Sequence, residues 1–267
     1  MLSVCATPIG NLDDITLRVL AELRDADVVL AEDTRHTRVL LRRHGIEAKL
    51  VSYHEHNEAE RVAEVLPRLQ AGERVALVSD AGLPGISDPG ARLVRAALEG
   101  GVPVTVLPGP SAVETALVAS GLVAERYAFV GFLPRKAGGL RALLAELASW
   151  PWPVVAFESP RRLPSTLRAL AAAAPEREVA VCRELTKRFE EVVRGPAAEV
   201  AARFAEAPKG EVTLVLAPVE AESARDEAAA QRAVADLVAA GTPRRTAVDV
   251  VARLTAVARN ELYRASL

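Results

Sequence analysis

Residues 79–90 read SDAGLPGISDPG and follow directly on the apolar run Val75, Ala76, Leu77 and Val78. A glycine- and proline-rich turn after a buried strand is where open α/β sheets hold their ligands. This turn carries Asp80 and Asp88 and no lysine or arginine. A phosphate cradle needs backbone amides and usually a cation, so the stretch argues against a nucleoside triphosphate and for a ligand bearing positive charge. A purely structural reading also exists, in which Pro84 and Pro89 stiffen the turn and Asp88 caps the next helix.

Outward from this loop, short apolar runs alternate with helical periods. Strands are expected at 2–6, 27–31, 49–53, 74–79 and 102–107, with helices at 14–25, 34–44, 58–71, 89–99 and 111–121. That order is β/α alternation. The second half repeats the style, with strands at 127–132, 153–158, 178–183, 191–194 and 211–217 and helices at 139–148, 160–173 and 197–205. Two α/β lobes, 1–112 and 113–218, would leave a ligand cleft where they meet. Beyond Pro218 a polar segment, 220–226, reads as a linker into a helical tail, so 219–267 is a third unit.

Half of the 267 residues are apolar, ample for a packed core. No run approaches the roughly 18 apolar residues of a membrane helix. Leu2 opens a strand pattern without the flanks of a signal peptide, so a cytoplasmic protein with no membrane contact is expected. Cys5 and Cys182 lie far apart in strand-like runs and read as buried free thiols. Charge is uneven: residues 1–224 hold 26 basic against 30 acidic side chains, whereas 225–267 hold 7 against 5. The basic excess at the end suits a nucleic-acid contact.

Three further turns lie just past strands and are expected at the same sheet edge: 7–13 (TPIGNLD), 108–112 (PGPSA) and 158–160 (ESP). With the segments AEDTR (31–35), HEHNE (54–58), DAGLPGISDPG (80–90), ESPR (158–161) and ELTKRFEE (184–191), they occur together as in the bacterial small-subunit ribosomal RNA cytidine 2′-O-methyltransferases. The chain resembles that family, part of the tetrapyrrole methylase superfamily, over residues 2 to about 217. The ending at Arg259, Asn260, Glu261, Leu262 and Tyr263 is similar to its helical extension.

The resemblance implies a two-lobed tetrapyrrole-methylase-like α/β fold with a small helical C-terminal extension. It also implies S-adenosylmethionine bound between the lobes, a homodimer, and methylation of a cytidine ribose in the decoding region of 16S rRNA within the small ribosomal subunit. By position it implies donor contacts from Pro8, Asp80, Ala81, Gly82, Pro84, Ile86, Ser111, Ala112, Phe157, Leu185, Glu211, Val212 and Thr213. TPIGN in place of a triple-glycine loop, and SDAG in place of SGDP, make a tetrapyrrole substrate less fitting. The loops read alone agree with the donor, because a sulfonium and an ammonium want carboxylates and carbonyls rather than phosphate-binding cations.

A ribose hydroxyl must lose its proton on methylation, and Glu32, Asp33, His54, His56, Glu158, Glu184 and Lys187 are candidates to take it. Lys187, in a protein with 4 lysines, is the favoured base, poised by Glu184 or Asp33. His54 and His56 on alternate strand positions would offer a metal only two nitrogens, so with Asn57 they read as substrate-positioning groups and no metal is expected. Arg35, Arg38 and Arg42 share a helix face that could track phosphates. Arg135, Lys136, Arg161 and Arg162 extend a basic rim. In the tail, Arg244, Arg245 and Arg259 sit on two short helical segments resembling a helix-turn-helix, read as an RNA grip, with dimer packing as the alternative. Two rival functions are a methyltransferase acting on a tetrapyrrole precursor and a non-catalytic RNA-binding module.

Overall fold

The computed structural model describes residues 1–219, 227–255 and 257–266; the expected linker at 220–226 lies outside them. In chain order the first sheet's elements are β1 (Leu2–Cys5), α1 (Leu17–Asp25), β2 (Val28–Ala31), α2 (Thr34–Arg43), β3 (Leu50–Ser52), α3 (Glu58–Gln70), β4 (Val75–Val78), α4 (Ala91–Glu99) and β5 (Val104–Leu107). The strands are all parallel in the order β3-β2-β4-β1-β5. Such a sheet is covered on both faces, which is why β2 (VVLA) and β4 (VALV) are apolar throughout and wholly buried. Alternate residues feed two cores, Val28 and Leu30 into one, Val29 and Ala31 into the other.

Helix α5 (Ala112–Ser120) leads into the second sheet, built from β6 (Ala128–Phe132), β7 (Val154–Glu158), β8 (Glu178–Arg183), β9 (Glu191–Pro196) and β10 (Val212–Leu216). Around it lie α6 (Ala137–Glu146), a 3-10 turn (Leu147–Ser149), α7 (Leu163–Ala173) and α8 (Ala197–Arg203). The elements come in the expected order, but they build a mixed sheet rather than a second parallel one. The order is β6-β7-β10-β8-β9, and only β6 and β7 run parallel. Strands β8 and β9 pair directly as a long hairpin, and β10 inserts between β7 and β8. The 158–160 turn therefore leaves the second sheet, not the edge shared by the other loops.

The halves are joined by packing. Ile9, from the loop after β1, is buried with Val113 and Leu117 of α5 and with Val155, Cys182, Leu185 and Val215 of the second half. Both cysteines are free and buried. Burial pushes the Cys5 thiol up to about 12 and the Cys182 thiol up to about 11, so both stay protonated.

Several helices start later than the sequence pattern suggested. Thr16 caps α1 by accepting from the Val19 amide at 3.2 Å, so the helix begins at Leu17. Gly90, with φ 142, precedes α4; Asp88 does not cap it, and its carboxyl is left for the cavity described below. In the tail, α9 (Glu227–Ala239), α10 (Arg244–Leu254) and α11 (Arg259–Ala265) share a small core of Val234, Val248, Val251 and Leu262. The tail is thus a three-helix unit rather than a bare helix pair. No helix of the described residues is long and apolar enough to cross a membrane.

Candidate active site

Strands β1 and β4 are neighbours in the first sheet, so the turns that follow them leave its edge side by side. They are stitched together: the Thr7 amide donates to the Gly82 carbonyl at 2.8 Å, and the Gly82 amide donates back to Thr7 at 3.1 Å. The Thr7 hydroxyl donates to the Ser79 carbonyl at 3.0 Å. Gly82 holds φ 79, a left-handed conformation that suits glycine at this turn.

Between these turns and the second sheet lies a cavity of about 430 Å³, within the size range of small-molecule sites. Its apolar floor includes Ile9, Val113, Phe157, Cys182, Leu185 and Val212. Glu32, Asp80 and Asp88 line it from the first half, and Glu158, Ser159, Glu211 and Thr213 from the second. No basic residue is among the described residues that line it.

Two of these carboxyls are poised unusually. Burial pushes the Asp88 carboxyl up to about 7, and the neighbouring Glu32 adds to the effect. Burial likewise raises Glu32. Asp80 is tethered differently: it accepts from the Asp33 amide at 3.0 Å and lies 3.3 Å from His36 Nδ1. Its own amide donates to Glu32 at 3.4 Å. The loops after β2 and β4 thus brace each other and turn three acids toward one space.

Of the expected donor contacts, Asp80, Ala81, Gly82, Ile86, Ser111, Ala112, Phe157, Leu185, Glu211, Val212 and Thr213 line the cavity. Pro8 lines an adjoining recess with Gly10, His36 and Lys187. Pro84 lines neither; it is buried beneath Gly90. Glu32, Asp88, Phe132 and Cys182 are lining residues absent from the expected set. From the sequence Asp88 reads as one of the loop's two acids, with helix capping as the alternative, and is given no place in the site; Phe132 gives no sequence signal distinct from a core strand position.

Lys187, the expected base, sits between two carboxylates. Its ammonium donates to Glu184 Oε1 and Glu211 Oε2, both at 2.9 Å. Burial works against that charge, but the hydrogen bonds to Glu211 and Glu184 outweigh it and push the pKa up, so Lys187 keeps its proton. Asp33 does not poise it. Its carboxylate accepts from the Arg35 amide at 2.8 Å and from the guanidinium at 2.6 Å, which holds it well below the usual carboxylate range. Asp33 is the N-cap of α2.

Glu158, another of the expected candidates, is enclosed by donors. Its side chain is wholly buried and accepts from the Ser159 amide at 2.7 Å, the Thr166 hydroxyl at 2.5 Å and Arg162 at 3.2 Å. Arg162 also donates to the carbonyls of Leu133 and Pro134, at 2.8 and 2.9 Å, so it is internal scaffolding and not part of a basic rim. Arg161 is exposed beside it.

His54, His56 and Asn57 lie outside the cavity. The Asn57 side chain closes the turn, accepting from the His54 amide at 2.8 Å and donating to the Ser52 carbonyl at 3.2 Å. The two imidazoles stand edge to face with centroids 6.0 Å apart. On α2, Arg35, Arg38 and Arg42 are exposed; Arg35 pairs with Asp33 while its guanidinium still faces solvent, and Arg38 and Arg42 make no ion pair among the described residues. In the tail Arg244 and Arg245 are exposed, and Arg259 pairs with Asp249.

Comparison with known proteins settles the ancestry of this arrangement. The family model described as Tetrapyrrole (Corrin/Porphyrin) Methylases matches residues 1–201. The chain belongs to the tetrapyrrole methylase family. Among its curated relatives, "Ribosomal RNA small subunit methyltransferase I" of Mesorhizobium japonicum is 46% identical, over 98% of this chain and 90% of that protein. The protein of the same name from Thermotoga maritima is also 46% identical, over 82% of this chain and 99% of the relative. Solved tetrapyrrole methylases share the fold. The methyltransferase CobJ aligns with a TM-score of 0.63 at 19% identity, covering 82% of this chain and 94% of its own. Uroporphyrin-III C-methyl transferase from Thermus thermophilus, in complex with S-adenyl homocysteine, aligns with a TM-score of 0.56 at 21% identity, over 81% of this chain and 96% of its own.

Proposed function

We propose that the protein is an S-adenosylmethionine-dependent methyltransferase that modifies the ribose 2′-hydroxyl of a cytidine in the decoding region of 16S rRNA. The observation that carries the donor assignment is the cavity itself, lined by acids from both halves, apolar on its floor, and free of basic residues among those described. That donor set fits a ligand with a sulfonium, an ammonium and a flat adenine, and fits a triphosphate poorly. The acceptor assignment rests on the relatives' name, small-subunit rRNA methyltransferase, at 46% identity across nearly the whole chain.

When bound, S-adenosylmethionine supplies an electrophilic methyl group on a positively charged sulfur. Asp80 to Gly82, Ile86, Ser111, Ala112, Phe157, Leu185 and 211–213 would hold it, with Pro8 at the edge of the site and Pro84 supporting the loop from below. The chain's main contribution is alignment of the 2′-oxygen in a water-poor cleft. Asp88 is the group we assign to accept the 2′-hydroxyl proton: it lines the cavity, no cation pairs with it among the described residues, and its pKa stands near neutrality. Lys187, held by Glu184 and Glu211, positions the wall between the two recesses.

Methylation is accordingly expected to rise with pH through about 7 and then level off, following ionisation of Asp88. Stability should run the other way. The folded-state pKa lies above the unfolded value, so the folded protein holds the extra proton between the two, and this group's stabilising contribution is lost as pH rises through about 7. Asp88→Asn should lower single-turnover kcat by roughly 10²- to 10⁴-fold. A rate profile that is flat across neutrality, or an Asp88→Asn variant at full rate, rules Asp88 out as the acceptor.

We assign RNA contact to Arg35, Arg38, Arg161, His54, His56 and Asn57 on the lobes and to Arg244, Arg245 and Arg259 on the tail. The organisation we infer is two lobes, 1–112 and 113–218, followed by an RNA-gripping unit, 219–267, in a cytoplasmic homodimer acting on the small subunit. Reversing two tail charges, Arg244→Glu with Arg245→Glu, should weaken 30S binding and reduce the slope of log affinity against log salt by about 1.5 to 2. Filter binding across a salt series reads this directly; an unchanged slope means that the tail does not touch phosphate. The function as a whole is tested by primer extension at low dNTP on 16S rRNA from cells with and without the protein, together with labelled methyl transfer in vitro. Label entering a corrinoid precursor and not 30S RNA overturns the reading.

A further inference from the structure

The second sheet has an irregularity at the cavity wall. The register of β6 against β7 shifts between Phe129 and Phe132, where Gly131 takes φ 68. A bulge of this kind bends a strand and re-aims the side chain that follows, and the left-handed backbone favours glycine. Here the following side chain is Phe132, which lines the cavity yet remains 60% exposed. Ile86 is the other exposed large apolar side chain among the described lining residues.

The ring is held firmly. Phe132 stands edge to face on Phe157 with centroids 5.4 Å apart, and Phe157 leans in the same way on Phe129 at 4.9 Å. Just beyond the ring, the Leu133 amide donates to the Phe157 carbonyl at 3.1 Å, and Arg162 grips the Leu133 and Pro134 carbonyls. Opposite the bulge is the 79–90 loop: a Cβ on Gly131 would lie 3.7 Å from Ser87 Oγ. A rigid aromatic with an open face therefore stands at the rim, where the first half closes on the second. Leaving such a surface in water is unfavourable, and a flat ligand arriving from solvent would cover it.

We propose that Phe132 is the platform on which the base of the target nucleotide stacks, once that nucleotide has left its neighbours and its ribose has entered the cavity. The inference rests on the reading of the protein as an RNA methyltransferase. On the proposed reading the donor would sit deeper, against Ala112, Leu185 and Thr213, whereas the acceptor must come from outside, across the rim. Base-aromatic stacking tolerates any base, so Phe132 positions the nucleotide, and sequence choice lies elsewhere.

The test compares Phe132→Ala, Phe132→Leu and Phe132→Trp in the full chain, with kcat/KM for methylation of 30S subunits and S-adenosylmethionine Kd by calorimetry. Phe132→Ala and Phe132→Leu should lose roughly tenfold to a hundredfold in kcat/KM, the worth of one base stack. Phe132→Trp should recover most of it, and the donor Kd should stay within about twofold throughout, which also reports that each variant is folded. The platform is refuted if Phe132→Ala methylates at the unsubstituted rate, if leucine rescues as well as tryptophan, or if donor affinity falls by the same factor as activity. Failure of the unsubstituted protein to label 30S RNA overturns the functional reading, and is seen in its own arm of the experiment.

Discussion

Gly10→Ala is expected to cost the protein at least about 100-fold in S-adenosylmethionine affinity, with a matching loss in kcat/KM. A Cβ at Gly10 would lie 2.6 Å from Lys187 Cγ and 2.7 Å from both the Leu185 carbonyl and Thr186 Oγ1. The segment it meets cannot retreat. Glu184 and Thr186 already occupy left-handed backbone at φ 52 and 64. The segment is also pinned by the Glu184 amide on the Glu211 carbonyl at 3.0 Å and the Thr186 amide on Glu190 at 2.6 Å. The 7–13 loop must therefore move instead, taking Pro8 and Ile9 out of the walls they form and stretching the hydrogen bond from the Asn11 amide to Thr186, now 2.9 Å. The stability loss should be smaller, about 1–3 kcal/mol, as for other overpacked sites. Gly138→Ala is the matched control, since nothing lies within 4 Å of its Cβ and it sits inside α6. Calorimetry showing Gly10→Ala with unaltered donor affinity would remove this loop from the binding wall.

Glu158→Ala should have the largest effect on stability, about 3–5 kcal/mol. Deleting the carboxylate strands a buried Thr166 hydroxyl and the Ser159 amide and leaves the Arg162 guanidinium without its counter-charge. Arg162 links α7 to the segment after β6, so both would loosen. At roughly 2–4 °C per kcal/mol for a chain near this size, the thermal midpoint should fall by about 6–20 °C. Glu158→Gln keeps the shape and one acceptor oxygen and should fall less. A midpoint for Glu158→Ala equal to that of the unsubstituted protein would mean that the network is dispensable.

The first sheet was legible because a doubly covered parallel strand leaves an unmistakable trace: VVLA and VALV admit no solvent-facing residue. The 79–90 loop was legible as a cavity loop because its glycines and prolines follow directly on a buried strand. The pairing of the second sheet was not, since an apolar run such as β10 (VTLVL) reads the same whether its neighbours run with it or against it. Local patterns also mislead where distant partners decide. Asp88 sits in a capping sequence, yet Gly90 takes the cap, and the acid's character comes from burial beside Glu32, 56 positions earlier. Lys187 looked like a base because lysine is scarce, but Glu211 arrives from the far side of a hairpin and a helix to hold its proton.

Ile9, Val113, Cys182 and Leu185 serve twice, as cavity floor and as the seam between the halves. A molecule occupying that floor becomes mortar in the joint, tightening the bond between bricks it merely touches. Saturation at a hundred times Kd would add about 2.7 kcal/mol to the folded state, and much of that gain should be felt as resistance of one half to parting from the other.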